Sequence, residues 1–224
     1  MKIEILTLFP DSYTPLYQGI IGSAVEKGLV DLHITNIRDY STDKHKHVDD
    51  APFGGGAGML IAIQPIADAI DDIDPMHKMR RIYMSPKGIP FTQAKSKQLA
   101  QQDLLILCGS YEGIDERVIE LYIDEEISIG DYVLTSGDLA AMVVVNATMR
   151  HIEGVLGSST SLEEESFTVP LLEYPQYTRP AEYKGLKVPE VLLSGNHQKI
   201  AEWRRLKSIE ITRERRPDLL NDED

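Results

Sequence analysis

The sequence predicts an α/β fold built on a largely parallel sheet, followed by a smaller second domain. Short apolar runs alternate with helical segments along roughly the first 150 residues, and Pro, Gly or Asp follows each run. Strands that alternate with helices in this way favour a parallel sheet. A hydrophobic content of 42% with 26% charged residues over 224 residues is typical of a globular chain with a sizeable core.

The first half of the chain gives the strands and helices in order. Residues 2–8 (KIEILTL) alternate as a strand does, and Pro10 and Asp11 then open a helical stretch toward Lys27. Further strands are predicted at the apolar runs 32–37, 81–84 and 104–107. Helices are predicted at 64–70, 92–101 and 137–150, and Asp115 or Glu116 is expected to cap another.

Three loops of similar composition follow predicted strands. They are YMSPKG at 83–88, CGSYEG at 108–113 and IGDYVLTSGD at 129–138. Glycine in such loops either makes a tight turn or brings backbone amides close to a ligand. Because ligands of these sheets bind outside the carboxyl ends of the strands, we expect the three loops to form one pocket.

The most glycine-dense segment is PFGGGAGM at 52–59. It lacks the G-x-x-x-x-G-K-[ST] pattern and the G-x-G-x-x-G pattern after a strand, which disfavours a nucleoside triphosphatase and a dinucleotide-binding domain. Two interpretations stay open, namely close approach of the backbone to a flat ligand and simple flexibility.

Neither the single cysteine nor the histidine pair at 45 and 47 is predicted to be catalytic or to bind a metal. The single cysteine, Cys108, ends the apolar run LLILC and is interpreted as a buried strand residue rather than a nucleophile. His45 and His47 stand near Asp49 and Asp50, but neither a cysteine nor a third histidine joins them at a usual spacing. A solvated loop is preferred to a structural metal site, and no metal ligand is assigned.

The carboxyl-terminal part differs in composition. Residues 158–177 are polar, acidic and interrupted by prolines, which predicts an exposed and mobile connector. Helical patterning resumes at 201–206 and 209–216, and the final NDED is expected to fray. We therefore divide the chain into a domain at 1–157, a connector at 158–177 and a helical domain at 178–224.

The net charge of −13 argues against binding of nucleic acid over a broad, positively charged surface. Basic residues are nevertheless concentrated at 179–216, which contain ten Lys and Arg against five Asp and Glu. The rest of the chain contains 13 Lys and Arg against 31 Asp and Glu. No run of about 18 apolar residues occurs, and the start MKIEILTLFPDSY does not look like a signal peptide, so a cytoplasmic protein without membrane association is expected.

Five motifs in this order closely resemble the bacterial tRNA (guanine-N1)-methyltransferases of the SPOUT superfamily. The motifs are PFGGGAGM, CGSYEGIDERV, IGDYVLTSGD, LLEYPQYTRP and LLSGNHQKIAEWRR, and the resemblance covers nearly the whole chain. It implies methyl transfer from S-adenosylmethionine to guanosine 37 of tRNA, a homodimer, and a trefoil knot in the catalytic domain. It also implies a dependence on Mg²⁺, although no ligand cluster in the sequence locates that ion.

The resemblance implies a cofactor site made largely of backbone. Glycine and exposed amides suit adenine and ribose, so Gly130 and Asp131 are expected to form its wall. The implied cofactor-binding residues are Tyr83, Ser85, Pro86, Gly109, Ile129, Gly130, Asp131, Tyr132, Val133 and Leu134.

The resemblance also implies two catalytic residues. Arg150 is expected near guanine O6, where negative charge develops, and Glu165 is expected to take the proton from N1. The family pattern has aspartate at this position, and one additional methylene matters for alignment. Glu163 and Glu164 stand beside Glu165 and remain alternatives.

The implied substrate contacts lie in the glycine-rich loop and beyond the connector. Arginine and aromatic groups suit phosphates and splayed bases, respectively. The predicted residues are Gly55, Gly56, Glu173, Tyr177, Arg179, Asn196, His197, Arg204 and Arg205. Glu173 stands where aspartate is common and Pro170 where glycine is expected. Trp203 is a candidate RNA contact or, as preferred, a core residue of the helical domain. A base on a mobile connector would be assembled only when substrate orders it.

Two rival functions stay open. One is a methyltransferase of the same superfamily that acts on ribose or on ribosomal RNA. The other is a noncatalytic RNA-binding protein that retains the fold, which the aspartate-to-glutamate changes make conceivable.

Overall fold

The computed structural model describes residues 1–156 and 165–220. The chain divides into two compact units, Met1–Gly157 and Ser158–Asp224. The NDED tail and residues 158–164 of the predicted connector lie outside the described residues. Residues 165–177 of that connector belong to the second unit. The division into catalytic domain, connector and helical domain stays a prediction.

A parallel five-stranded sheet forms the centre of the first unit. In chain order the strands of this unit are β1 (Lys2–Thr7), β2 (Asp31–Asn36), β3 (Asp49–Asp50), β4 (Leu60–Ile61), β5 (Arg80–Pro90), β6 (Leu104–Cys108) and β7 (Glu125–Ser128). The main sheet has the order β2-β1-β6-β5-β7 with every pairing parallel, whereas β3 and β4 form a separate antiparallel pair. The predicted α/β fold with a parallel sheet is confirmed.

Helices cover both faces of the sheet. They are α1 (Gly19–Glu26), α2 (Ile63–Ile73), α3 (Gln93–Leu99), α4 (Glu116–Tyr122) and α5 (Asp138–Met149). Val144 and Ile106 belong to one apolar cluster, and Ile70 and Leu105 belong to the other. Successive strand side chains point to opposite faces, so burial on both sides makes the run LLILC continuously apolar.

The helical stretch predicted from Pro10 toward Lys27 is interrupted. Pro10–Tyr17 is a 3-10 helix, and Gln18 is extended before α1 begins at Gly19. Pro15 inside the first segment has no amide hydrogen and disfavours the α conformation of the residue before it. The capping prediction is confirmed for Asp115, whose side chain accepts the amide hydrogen of Arg117 at 3.0 Å.

A buried polar network joins the carboxyl end of β1 to the start of α5. Asp138 is 3% exposed, and its Oδ1 accepts hydrogen bonds from Thr7 Oγ1 at 2.5 Å and from the Tyr13 hydroxyl at 2.8 Å. Its Oδ2 accepts a hydrogen bond from Ser136 Oγ at 2.6 Å. Three donors compensate the burial of a carboxylate, and its place in the first turn of a helix is favourable for negative charge.

Cys108 lies beside this network. Its sulfur is 3.1 Å from the Tyr13 hydroxyl, and its side chain is buried. Burial raises the pKa of the Cys108 thiol above its usual range and raises that of Tyr13 likewise. Both groups are therefore neutral at physiological pH, and the interpretation of Cys108 as a buried strand residue is confirmed.

The second unit is small and partly helical. It contains β8 (Glu182–Tyr183), β9 (Leu186–Lys187), α6 (Glu190–Leu193) and α7 (His197–Arg215). The two helical segments predicted at 201–206 and 209–216 are parts of the single helix α7, because Lys207 and Ser208 between them continue it. Asn196 caps α7 by accepting the amide hydrogen of Lys199 at 3.1 Å.

The buried hydroxyls of the first unit give a test of the network. Thr148 Oγ1 is buried without a hydrogen-bond partner among residues 1–156 and 165–220, whereas Thr7 Oγ1 donates to Asp138. We expect Thr148→Val to raise the free energy of unfolding by about 1 kcal/mol. We expect Thr7→Val to lower it by about 1–3 kcal/mol, since a buried carboxylate loses a donor.

Urea unfolding of both variants, followed by circular dichroism, measures this difference. Equal effects of the two substitutions would contradict the role given to Asp138.

Candidate active site

One cavity of about 520 Å³ lies against the three strand-end loops, as expected from the sequence. Its volume is in the range of small-molecule sites. The cavity lining includes these residues predicted to bind the cofactor: Tyr83, Ser85, Pro86, Gly109, Ile129, Gly130, Tyr132, Val133 and Leu134. Asp131 is exposed and is not among the described residues that line it. Its backbone belongs to the loop that lines the cavity, and its role in holding the cofactor stays a prediction.

The first loop is a bulge within β5 rather than the end of a strand. The strand predicted to end at Met84 continues to Pro90, and both Met84 and Ile89 pair with Ile127. Residues 85–88 are therefore extra with respect to β7, and Ser85 and Pro86 line the cavity there. The sequence signal for this bulge is the Ser-Pro-Lys-Gly run, which interrupts apolar alternation.

Gly109 and Gly137 bring two of the loops together. The Gly137 amide donates to the Gly109 carbonyl at 2.9 Å. A Cβ on Gly109 would lie 2.6 Å from the Tyr83 hydroxyl, and one on Gly137 would lie 3.1 Å from Cys108 Cα. A side chain on Gly109 would displace the Tyr83 ring, and one on Gly137 would fit only if its neighbours moved by a few tenths of an ångström. Both glycines line the cavity, so they form part of its wall and not merely turns.

Short-range hydrogen bonds constrain the backbone of the third loop, residues 129–138. Gly130 has φ +152° and donates its amide hydrogen to Ser128 Oγ at 3.2 Å, while its carbonyl accepts the amide hydrogen of Tyr132 at 2.9 Å. Val133 is 83% exposed. A loop with an exposed apolar side chain and a constrained backbone can offer peptide groups to a ligand.

Neutral, acidic and basic side chains line the cavity. Burial and the nearby charge of Glu126 raise the pKa of Tyr83 to about 12, so its hydroxyl is neutral at physiological pH. Glu112 and Glu116 also line the cavity, and Lys87 Nζ lies 3.7 Å from Glu116.

Sequence reasoning missed several residues of the lining. They include Leu60, Ser110, Tyr111, Glu112, Ser136 and Gly137. Of these six, all but Leu60 stand within the motifs identified from the sequence. The sequence located the loops but not which of their residues face the cavity.

The glycine-rich loop lies next to the cavity. Gly55 and Gly56 have φ +81° and +135°, are exposed, and are not among the described lining residues. The end of the loop is fixed, since the amide of Glu112 donates to the Met59 carbonyl at 3.1 Å. Phe53 at its start is fully exposed.

The two predicted catalytic residues belong to different units. Arg150 is the C-cap of α5 in the first unit, and its amide donates to the Thr148 carbonyl. Glu165 lies in the second unit. Their approach to a common substrate stays a prediction, and Glu163 and Glu164 lie outside the described residues.

A second cavity, of about 380 Å³, lies within the second unit. It brings together Glu165, Glu173, Arg204 and Arg205, all predicted from the sequence, with the Tyr174 ring beside them. The guanidinium carbon of Arg204 lies 4.7 Å from the centre of that ring, a cation–π distance. The cavity can therefore offer carboxylates, guanidinium groups and an aromatic face to one ligand.

The other predicted substrate contacts lie elsewhere in the second unit. Tyr177 packs against Trp203 with ring centres 6.4 Å apart, and Arg179 is exposed. Asn196 uses its side-chain oxygen to cap α7, and His197 is the exposed first residue of that helix.

Neither histidine of the loop at 43–47 has a set of metal-ligating neighbours. His47 Nδ1 lies 2.9 Å from Asp43 Oδ1, and the rings of His45 and His47 are 5.7 Å apart. Within residues 1–156 and 165–220, no three or more His, Cys, Asp or Glu side chains cluster as a metal site would require, so no position for Mg²⁺ emerges. In the same residues no helix has the length and apolar character needed to cross a membrane.

Comparison with known proteins identifies the family. The sequence model of tRNA (guanine-1)-methyltransferase TrmD matches residues 1–222. A tRNA (guanine-N(1)-)-methyltransferase of Limosilactobacillus reuteri is 56% identical over 227 aligned residues, covering 98% of this chain and 90% of the relative. Proteins of the same name from Clostridioides difficile and Geobacter metallireducens are each 54% identical, over 98% of this chain and 97% and 91% of the relatives. The chain therefore belongs to the tRNA (guanine-1)-methyltransferase family.

Proposed function

We propose that this protein transfers a methyl group from S-adenosylmethionine to N1 of guanosine 37 in tRNA. The observation that carries the proposal is the glycine-walled cavity at the strand ends, in a chain whose relatives are named for methylation of guanine N1 in tRNA. The proposal includes S-adenosylmethionine as the methyl donor, position 37 of the tRNA as the target, and the residue roles given below.

The cavity fits S-adenosylmethionine in size and in chemistry. A volume of about 520 Å³ suits a ligand of nucleoside size, and the glycine wall at Gly109 and Gly137 lets backbone groups face it. Residues that would hold the cofactor are Tyr83, Ser85, Pro86, Gly109 and the 129–134 loop. When bound, the cofactor supplies a methyl carbon activated by a sulfonium.

The protein's part in the reaction is alignment and removal of a proton. Guanine N1 loses a proton as it gains the methyl group, and the carboxylate of Glu165 accepts that proton. The guanidinium of Arg150 stabilises the negative charge that develops on guanine O6. Glutamate in place of the family's aspartate carries the same carboxylate one methylene further from the backbone.

The second unit supplies the contacts to tRNA. The basic excess of residues 179–216, which include Arg204 and Arg205, suits an anionic partner. Glu173, Tyr177, Arg179, Asn196 and His197 would extend this surface, and Gly55 and Gly56 would approach the target nucleotide from the first unit.

We also propose a trefoil knot in the first unit and a helical tRNA-binding domain at 178–224. The knot rests on membership of the family, and the bulge of β5 lies in the region of the sheet next to the cavity. A Cβ on Gly88 would lie 2.4 Å from the Ile127 amide nitrogen, so the bulge of β5 passes directly against β7.

A homodimer in the cytoplasm completes the proposal. Leu139 and Val143 are 57% and 47% exposed and lie one turn apart on α5, and Ile20 on α1 is 58% exposed. Apolar side chains in this number on neighbouring elements favour association with a second copy.

Methyl transfer to two transcripts tests the reaction. With labelled S-adenosylmethionine we expect label on tRNA that carries guanosine 37 and none on the transcript with adenosine there. Label on both transcripts would favour the related methyltransferase that acts elsewhere, and label on neither with intact cofactor binding would favour the noncatalytic protein.

The substitution Gly109→Ala tests the cofactor cavity. A Cβ placed 2.6 Å from the Tyr83 hydroxyl forces that ring to move, and overpacking costs about 1–3 kcal/mol, so we expect a Kd for S-adenosylhomocysteine about 5- to 150-fold higher. Isothermal titration calorimetry measures it. Gly28→Ala is the matched control, because Gly28 has φ +70° with free space around it and its substitution should affect stability alone.

Replacing Glu165 tests the base. We expect Glu165→Gln to lower kcat by about 100-fold or more, since a general base contributes about 10²–10⁴-fold, with unchanged cofactor binding. Glu164→Gln is the control and should keep kcat. Near-normal turnover of Glu165→Gln would contradict the assignment of Glu165 as the base. A loss of kcat in Glu164→Gln would instead assign the base to Glu164.

Charge placed on α5 tests the homodimer. Val143→Glu puts a carboxylate into the apolar surface, and we expect sedimentation equilibrium to show monomers where the unsubstituted chain shows dimers. Glu120→Gln on α4 is a control without such a change. A monomeric unsubstituted chain at micromolar concentration would contradict the proposal.

A further inference from the structure

The buried side of α7 carries hydroxyl groups. Ser208 and Thr212 are the buried residues of this helix, with exposures of 8% and 0%, and they lie one turn apart. A buried helix face is ordinarily apolar. Buried hydroxyls at these two positions are therefore candidates for a polar role.

The hydroxyl of Thr212 is used as both donor and acceptor. It donates to the Ser208 carbonyl at 2.6 Å and accepts the amide hydrogen of Leu172 at 2.8 Å. The second contact joins positions 40 residues apart. Thr212 thus joins the segment before Tyr174 to the helix, and the Arg216 guanidinium at the end of the helix also lies 5.8 Å from the centre of the Phe167 ring.

That segment is a compact loop with Glu165 at its beginning. The amide of Phe167 donates to the Leu171 carbonyl at 3.0 Å, and the amide of Glu173 donates to Ser166 Oγ at 2.9 Å. These contacts close residues 165–173 on themselves. The Glu165 carbonyl also accepts the amide hydrogen of Thr168 at 3.3 Å, so we expect a displacement at Leu172 to move Glu165 as well.

The loop and α7 together line the second-unit cavity. Glu165, Leu172 and Glu173 line it from the loop, and Arg204 and Ser208 line it from α7. The distance between the two sides depends on how the loop is attached to the helix. Thr212 provides a hydrogen bond at that attachment.

We infer that Thr212 is a positioning residue for the base of the methyl transfer. Its hydroxyl holds the Leu172 amide and so fixes the loop that carries Glu165 toward its substrate. This inference rests on the proposed function, because it needs Glu165 to take the proton.

Three variants of the full-length chain test the inference. Thr212→Val keeps the shape of the side chain and removes the hydroxyl, and Thr212→Ser keeps the hydroxyl and removes the methyl group. Thr148→Val makes the same replacement in a buried helical threonine whose hydroxyl has no hydrogen-bond partner in the described part of the chain. Steady-state methyl transfer to the guanosine 37 transcript gives kcat and both KM values.

We expect Thr212→Val to lower kcat by about 10- to 100-fold, because an error of about 1 Å in the base costs roughly 100-fold. The KM for S-adenosylmethionine should not change, since the cofactor cavity lies in the first unit. Thr212→Ser should restore kcat to within about threefold of the unsubstituted chain, and Thr148→Val should keep it.

Two results would overturn the inference while leaving the proposed function intact. One is a normal kcat for Thr212→Val in a chain that methylates the transcript. The other is an equal loss in Thr212→Ser and Thr212→Val, which would assign the effect to packing. Absence of transfer by the unsubstituted chain would instead overturn the proposed function.

Discussion

The first unit depends on a buried carboxylate. Asp138 accepts hydrogen bonds from Thr7, Tyr13 and Ser136, which come from the end of β1, the 3-10 helix after it and the last loop of the cavity. A buried carboxylate is tolerated only when donors surround it. The same contacts hold the start of α5 beside β6 and give the 129–138 loop a fixed end.

The cavity follows from that arrangement. With α5 held in place, Gly137 meets Gly109 through a hydrogen bond of 2.9 Å, and the bulge of β5 closes the third side. Backbone groups at these glycines then form part of the cavity wall, where they can make hydrogen bonds with a polar ligand. The second unit uses the same principle at Thr212, where one buried hydroxyl fastens a loop to a helix.

The sequence predicted what depends on local pattern. Apolar runs located β1 and β6, and the loops with glycine located the cavity, because strand burial and the shared edge of a parallel sheet follow from spacing alone. It did not predict that Asp138 is structural, since Thr7 lies 131 residues away in the chain. Nor did it predict the bulge of β5, which becomes visible only when Met84 and Ile89 are both seen to pair with Ile127. The role of Glu165 depended on resemblance, because three adjacent glutamates have no distinguishing local pattern.

The central claim is that the three loops of the first unit form the cofactor cavity. Hydrogen exchange of the backbone amides, with and without S-adenosylmethionine, tests it most directly. A cavity made of the three loops predicts slower exchange on cofactor addition at 83–88, 108–113 and 129–138, with little change at 52–59 in the absence of tRNA. Unchanged exchange in all three loops under saturating cofactor, or protection confined to the second unit, would contradict the account.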